Sequence, residues 1–362
     1  MKYIISILRI FVSIFFMISG FVKLNDPIGF SYKLQEYFSV DVLNMTFFEP
    51  YSLMISFFIV VFEVVIGFFL FIGYQRRFTI FSLMSMIIFF TFLTFYSAYF
   101  DKVKDCGCFG DALKLTPWQS FAKDLLLLAM IILIFYGKKY VKPFFNFRLN
   151  LSLAIISVIS ATGFGFYVLS HLPLVDFRPY KVGININENM IIPEDAPGPV
   201  QEFKYKFDVN GEEKIFVTNG PFPDVEGKFL DYEVKIISHG YQPPIQDFSI
   251  ESETDDLTND FLDEDKLLII VSYNLETADS DGLKSLNKLS AEASSKGYNV
   301  IGLSASDTSD KTKFSLEYNF DFYLCDEKEL KTMIRSNPGL FILNNGTIKQ
   351  KVHWNDIDKL VF

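Results

Sequence analysis

The hydrophobic pattern divides the chain into two unlike halves. Five long apolar runs stand at residues 3–22, 52–73, 78–100, 119–136 and 149–172. Each is close to the roughly 20 residues that a helix needs to cross a hydrocarbon core. The first run could pass for a signal peptide. It lacks a small-residue cleavage site, and Lys23 and Asp26 follow at once, so it reads as a retained helix. Beyond residue 173 the runs shorten and alternate. Asn210-Gly211 lies between apolar-alternating stretches at 205–207 and 214–217, which predicts a hairpin, and 229–237 predicts a further strand. Gly240-Tyr241-Gln242-Pro243-Pro244 ends this β-rich region, expected to be a spacer or an extension packed on the next domain. An acid-rich stretch at 251–265 follows. Strands are then expected at 266–273, 298–303, 320–325, 340–343 and 348–354, the last two joined by an Asn344-Asn345-Gly346 turn. Helices are expected at 282–296, 311–318 and 329–335, with a final helix after the hairpin. Strand–helix alternation of this kind predicts an α/β domain.

Charge follows the same division. Residues 1–173 hold 14 Lys and Arg against 9 Asp and Glu, a net of +5; residues 174–362 hold 19 against 34, a net of −15. The acidic half has no basic patch that would neutralise phosphates, so nucleic acid is not an expected partner. Lys2, the Arg76-Arg77 turn, and Lys138, Lys139, Lys142 and Arg148 fall on one side of the five runs. The positive-inside rule makes that side cytoplasmic. The segments 23–51 and 101–118 and everything after 173 then face outward, which in a Gram-negative cell is the oxidising periplasm. The bilayer is the one partner that the apolar runs themselves imply.

Ionisable residues inside apolar runs are costly and therefore informative. Glu63 sits near the middle of the second run and Arg9 about two turns into the first. They are expected to form a structural ion pair or to line a polar cavity. At the outer end Lys23 and Asp26 close the first run and Lys123 and Asp124 open the fourth, beside Trp118 as an interfacial anchor. These four serve either as interfacial charge or as a site.

Two of the three cysteines lie in Asp105-Cys106-Gly107-Cys108-Phe109-Gly110-Asp111, between the third and fourth runs. A Cys-x-Cys disulfide closes a small strained ring, and strained disulfides are oxidising and labile. Gly107 supplies the backbone freedom such a ring needs. Asp105 and Asp111 would raise a thiol pKa, partly offset by Lys102, Lys104 and Lys114. Cys106 and Cys108 are thus a candidate redox pair; a static bridge or simple packing of a tight loop is the alternative. Two cysteines with no histidine nearby fall short of a metal site, and no other cofactor is expected. Cys325, alone at a strand end, reads as a core residue or as a partner for one of the other two.

Arg9, Ser19-Gly20, Lys23-Leu24, Asp26-Pro27, Gly29 and Lys33-Leu34-Gln35-Glu36-Tyr37, with Glu63 and Gly67 in the second run, resemble the DoxX family of four-helix membrane proteins. Cys106-Gly107-Cys108-Phe109-Gly110, Pro117-Trp118 and Lys123-Asp124 resemble its MauE branch, and the resemblance covers residues 1–140. It implies a redox neighbourhood, since MauE-type proteins are associated with maturation of periplasmic disulfide-rich proteins. The last domain resembles the thioredoxin fold in its TlpA/peroxiredoxin-like form. Pro338 stands where that fold places a cis-proline beside its active site. The place of the Cys-x-x-Cys motif reads Tyr273-Asn274-Leu275-Glu276-Thr277-Ala278, so this domain by itself carries no dithiol.

The expected architecture is a transmembrane helical bundle, with a four-helix core at 1–140 and a fifth anchoring helix at 141–172. A small β-rich region at 173–246 and an α/β thioredoxin-like domain at 247–362 complete it. The expected function is an inner-membrane protein that supports redox chemistry or maturation of envelope proteins through Cys106 and Cys108, with a periplasmic client docking near Pro338. A membrane-anchored scaffold with structural cysteines is the rival. A small-ligand or transporter-like site at Glu63 and Arg9 is the third reading.

Overall fold

The structure is a computed structural model that describes the chain apart from Lys104, Asp105, Cys106, Cys108, Lys114, His239 and Asn319. Among the described residues five helices are long and apolar enough to cross a membrane, as in a multi-pass membrane protein: Lys2–Asn25, Thr46–Ile72, Arg76–Phe100, Pro117–Tyr136 and Phe147–Ser170. In the first, α1 (Lys2–Asn25), the usual arrangement of a globular helix is inverted. Arg9, Ser13, Ser19 and Lys23 are buried, while Ile4, Ile7, Phe11, Ile14, Ile18 and Phe21 are exposed. An apolar exterior around a polar seam is what a helix bathed in lipid requires.

In the membrane half one helix was not expected from the sequence. α2 (Pro27–Phe38) occupies the segment between the first two spans. Asp26 caps it, accepting a hydrogen bond from Gly29 N at 2.8 Å, with Pro27 at the first helical position. The spans α3 (Ser52–Ile72), α4 (Arg76–Phe100), α5 (Pro117–Tyr136) and α6 (Phe147–Ser170) complete the bundle. α1 and α3 approach closely because of two glycines. A Cβ at Gly20 would come within 2.9 Å of Val64 N, and one at Gly67 within 3.1 Å of Met17 N.

The segment after the spans carries the short helix α7 (Ile186–Met190) and a three-stranded antiparallel sheet: β1 (Val200–Val209), β2 (Glu212–Thr218) and β3 (Lys228–Ser238), in the order β2-β1-β3. The Asn210-Gly211 turn joins β1 to β2, with both residues at positive φ. The elements that follow are α8 (Thr258–Leu262), β4 (Leu267–Val271), α9 (Ser280–Ser295), β5 (Asn299–Ser304), α10 (Thr308–Tyr318), β6 (Phe322–Leu324), α11 (Glu327–Met333), β7 (Gly339–Asn344) and β8 (Thr347–His353). The five strands align as β6-β5-β4-β7-β8, with β4 parallel to β5, β5 parallel to β6, and the β7–β8 hairpin antiparallel beside β4.

All five residues of β4 are fully buried because both sheet faces are covered. Leu267, Ile269 and Val271 point into a core shared with Leu330 and Met333 of α11; Leu268 and Ile270 point into one shared with Leu283, Leu286 and Leu289 of α9. Tyr180 and Ile186, which precede the small sheet, are also fully buried in the first of these cores. Ile186 N donates to Gly346 O at 2.8 Å, so this stretch is stitched to the β7–β8 turn.

His353, at the end of β8, is buried, and its Nδ1 accepts from Asn355 N at 3.0 Å. Burial pushes its pKa down to about 4. The folded protein therefore holds it neutral, whereas an unfolded His takes up a proton below about 6.5. Its contribution to stability is complete above that pH and is lost as the pH falls from about 6.5 towards 4. Thermal unfolding of the detergent-solubilised protein should show a melting temperature that drops across this window. His353→Asn, which keeps an acceptor but cannot take up a proton, should flatten the drop.

Candidate functional site

The charged residues of the span interiors do not pair as the sequence suggested. Arg9 lies at the end of the bundle opposite the soluble domain. Its Nε donates to Leu70 O at 2.9 Å, Nη2 to Phe71 O at 2.6 Å and Nη1 to Lys142 O at 2.8 Å. Its guanidinium also lies 4.3 Å from the centre of the Phe144 ring. The expected Arg9–Glu63 pair is therefore not formed. Arg9 is taken up by carbonyls at the C-terminal end of α3, where the last turn leaves acceptors unsatisfied.

Glu63 pairs with Lys23. Lys23 Nζ lies 2.5 Å from Glu63 Oε2, with each side chain only 3% exposed. The Phe90 ring flanks the ammonium at 4.8 Å. A second pair stands alongside, with Lys123 Nζ 2.6 Å from Asp124 Oδ1, and Thr94 Oγ1 donates to Asp124 Oδ2 at 3.1 Å. Both pairs line one chamber between α1, α2, α3, α4 and α5, walled by Phe15, Phe16, Phe30, Phe90 and Leu127. Its free volume of about 30 Å³ admits on the order of two water molecules, at about 10–15 Å³ each. Tyr37 and Ser97, whose hydroxyls are 2.8 Å apart, lie by the same wall. The chamber is thus balanced in charge.

Cys106 and Cys108 lie outside the described residues, but three of their neighbours do not. Gly107, at φ +66, lies against the chain of Lys33, where a Cβ would stand 3.0 Å from Cγ. The Phe109 ring meets Phe15 edge-on at 5.6 Å and lies 5.5 Å from Lys123 Nζ, over the Lys123 corner of the chamber. Asp111 Oδ2 is 3.4 Å from Arg335 Nη2 of the soluble domain.

Arg335 is the residue that reading the sequence missed. Its Nε lies 3.0 and 2.9 Å from the two oxygens of Asp26, and its guanidinium is 5.3 Å from the Tyr32 ring. It also donates to Lys331 O. Burial works against its charge, but Asp26 and Asp111 outweigh burial and hold its pKa above the usual arginine value. Asn25 adds a reciprocal contact to the start of the soluble half, donating to Val175 O at 2.8 Å and accepting from Val175 N at 3.1 Å. The signal available beforehand was position alone: Arg335 stands three residues before Pro338.

Pro338 follows a cis peptide bond but is buried, packed near Gly282. A Cβ at Gly282 would lie 3.0 Å from Pro338 Cδ and 2.9 Å from Trp354 Cγ, so both rings pack against the start of α9. Next to it Asn337 Oδ1 accepts from Ser272 Oγ at 2.8 Å and Asn337 Nδ2 donates to Asn274 O at 2.8 Å. Side-chain amide and hydroxyl hydrogen bonds thus occupy the turn after β4. Cys325 is buried, and burial pushes its thiol pKa up to about 12, so it is a neutral core residue.

Breaking a buried ion pair by removing one partner costs about 3–5 kcal/mol, whereas replacing both with apolar groups costs far less. Lys23→Met and Glu63→Leu should each lower the unfolding free energy by an amount of that order. Lys23→Met combined with Glu63→Leu should recover most of it. Denaturant unfolding of the four proteins in one detergent would measure the cycle.

Residues 1–137 match the family model described as methylamine utilisation protein MauE. No curated protein matches the chain. Among solved structures, the chain is similar to the thioredoxin domain of a thiol-disulfide oxidoreductase from Bacteroides vulgatus, at 16% sequence identity and a TM-score of 0.24, over 29% of this chain and 81% of that one. The N-terminal region of this protein is therefore similar to MauE, in a chain whose five long apolar helices are those of a multi-pass membrane protein.

Proposed function

We propose that the protein is an inner-membrane, DoxX/MauE-type factor that serves disulfide chemistry or maturation of envelope proteins through Cys106 and Cys108. The single observation that carries the reading is the MauE match, which runs through the Cys-Gly-Cys-Phe-Gly block and both buried ion pairs. In this reading the soluble α/β unit is a thioredoxin-like domain. Its support is the strand order, with a β–α–β core of parallel strands and a following antiparallel hairpin entered through Pro338. The C-terminal half meets Asp26, Asn25 and Asp111 at one end of the bundle, through Arg335 and Val175. On the charge pattern of the short loops that end is periplasmic. Asp26 and the chamber residues Lys23, Glu63, Lys123 and Asp124 hold the outer end of the bundle in shape. The client is a periplasmic protein, and it approaches Cys106 and Cys108, not the enclosed Pro338.

A scaffold without redox activity is the second reading. One observation favours it: the turn at Ser272–Leu275 carries no dithiol, and its polar groups are bonded internally. The in-cell oxidation state separates the two. After acid quenching and mass-tagging of free thiols, the redox reading expects Cys106 and Cys108 partly oxidised, shifting with added reductant, and a mixed disulfide with another protein when either one is changed to Ser. A pair that is always reduced, or one fixed bridge whose loss leaves function intact, would establish the scaffold.

A further inference from the structure

The small sheet ends on an open edge. In the order β2-β1-β3, β3 pairs with β1 on one side, and among the described residues no further strand pairs with its other side. All eleven of its residues are exposed. A row of free N–H and C=O groups of this length is a template for another strand. The two faces of β3 differ. Tyr232, Val234 and Ile236 share the face that carries Phe203 and Tyr205, with the Tyr232 ring stacked 6.1 Å from that of Tyr205. Phe222 packs on Tyr205, Phe207 and Phe229, yet Tyr232, Val234 and Ile236 stay 53%, 45% and 49% exposed. The opposite face carries Asp231, Glu233 and Lys235, with Glu233 Oε1 2.7 Å from Lys206 Nζ of β1. Register shifts against β1 fall on either side of residues 231–236, so this stretch is the regular part of the strand.

We propose that β3 pairs with β3 of a second copy of this chain, antiparallel about a two-fold axis at Val234, so that two small sheets join into one of six strands. The order of charges selects both the partner and the register. Residues that face each other across such an axis lie on the same face of the sheet, so the axis passes through a residue. With the axis at Val234, Glu233 of each copy stands opposite Lys235 of the other, Tyr232 opposite Ile236, and Val234 opposite itself. Unlike charges facing each other across a ladder stabilise it, and like charges weaken it. Axes at 231, 232, 233 or 235 each set like charges opposite one another; the axis at Val234 sets none. The other edge, β2, offers no such match. There Glu212 meets Lys214 only about an axis that sets Glu213 against itself. Pairing at β3 also carries the aromatic face of each sheet across the axis through Tyr232, Val234 and Ile236. The inference stands independently of what Cys106 and Cys108 do.

The test uses the full chain in membranes with Cys106→Ser and Cys108→Ser, so that an introduced thiol is the reporter; Cys325 is buried and stays. Facing residues of an antiparallel ladder stand about 4.5–5.5 Å apart at Cα, a distance that a disulfide spans. Val234→Cys should therefore form a disulfide-linked dimer under a mild copper oxidant. Val217→Cys, on β2 and 54% exposed, is the control for chance encounter. It should give less than roughly a tenth of that dimer. On the Val234→Cys chain, Glu233→Lys and Lys235→Glu should each lower the yield roughly fivefold, because each turns two attractive contacts into repulsive ones. Those two variants, differently tagged and mixed in the same membranes, again set lysine opposite glutamate at both contacts. The mixed dimer should form where neither variant dimerises by itself, a rescue that unfolding or crowding would not produce. A Val234→Cys yield no higher than that of Val217→Cys overturns the proposal. Charge variants whose yields do not fall, or are not restored on mixing, overturn it too. So does a Val234→Cys thiol that joins a different protein, or one that only the bilayer shields from a water-soluble maleimide, for the edge then has another occupant.

Discussion

A lysine and a glutamate cannot be left apart in an apolar medium, and much of this bundle follows from bringing Lys23 and Glu63 together. Neither could remain charged there alone. Their contact needs α1 and α3 almost backbone to backbone, which Gly20 and Gly67 permit. With that distance set, α2 folds back across the top. Ser56 Oγ bonds Pro27 O at 2.7 Å, and Asp26 arrives at the outer rim with one oxygen capping α2 and both facing outward to Arg335. The Lys123–Asp124 pair completes a chamber in which every charge has an opposite neighbour. The ion pairs and the close glycine-mediated packing together hold such an interior in register, because lipid offers no hydrophobic gain for packing one helix against another.

The soluble half is organised on other terms. Its β4 strand is buried on both faces, and the two cores on either side of the sheet are apolar in the ordinary way. The boundary between the two regimes is polar: Arg335 on Asp26 and Asp111, Asn25 on Val175, and His171 Nδ1 at 2.9 Å from Asp356. Contacts of this kind fix orientation while burying little apolar area, so they join the domains without merging their cores. The turn after β4 carries Tyr273 and Asn274, and Lys331 lies over both the Tyr273 ring and the Tyr32 ring of the membrane half.

The parts of the fold that depend on periodicity were legible in advance. Apolar runs of spanning length, the Asn210-Gly211 hairpin and the strand–helix alternation after residue 266 all match elements found within a few residues of their expected ends. α2 escaped because its apolar positions are diluted by Lys33, Gln35 and Glu36. The partners of buried charges were not legible. Arg9 and Glu63 were matched by depth, but depth along a helix says nothing of which neighbour it faces, and the carbonyls that Arg9 prefers carry no sequence signature. Arg335 escaped for the opposite reason: its partners lie more than 200 residues away and in another structural regime. The spacing Arg9, Ser13, Phe16, Gly20, Lys23 was nevertheless a helical face in plain view. It marks the seam along which α1 meets the rest.

Arg9 also bears on the order in which the protein can be built. Its three acceptors come from residues 70, 71 and 142, the last 133 positions further along the chain. When α1 first enters the membrane none of them has been synthesised, and its guanidinium must stay in the aqueous interface. Two carbonyls arrive with the end of α3, and the third only when the turn after α5 has followed. α1 is thus made before α3 and α5 yet reaches its final depth only after the turn that follows α5 has joined it.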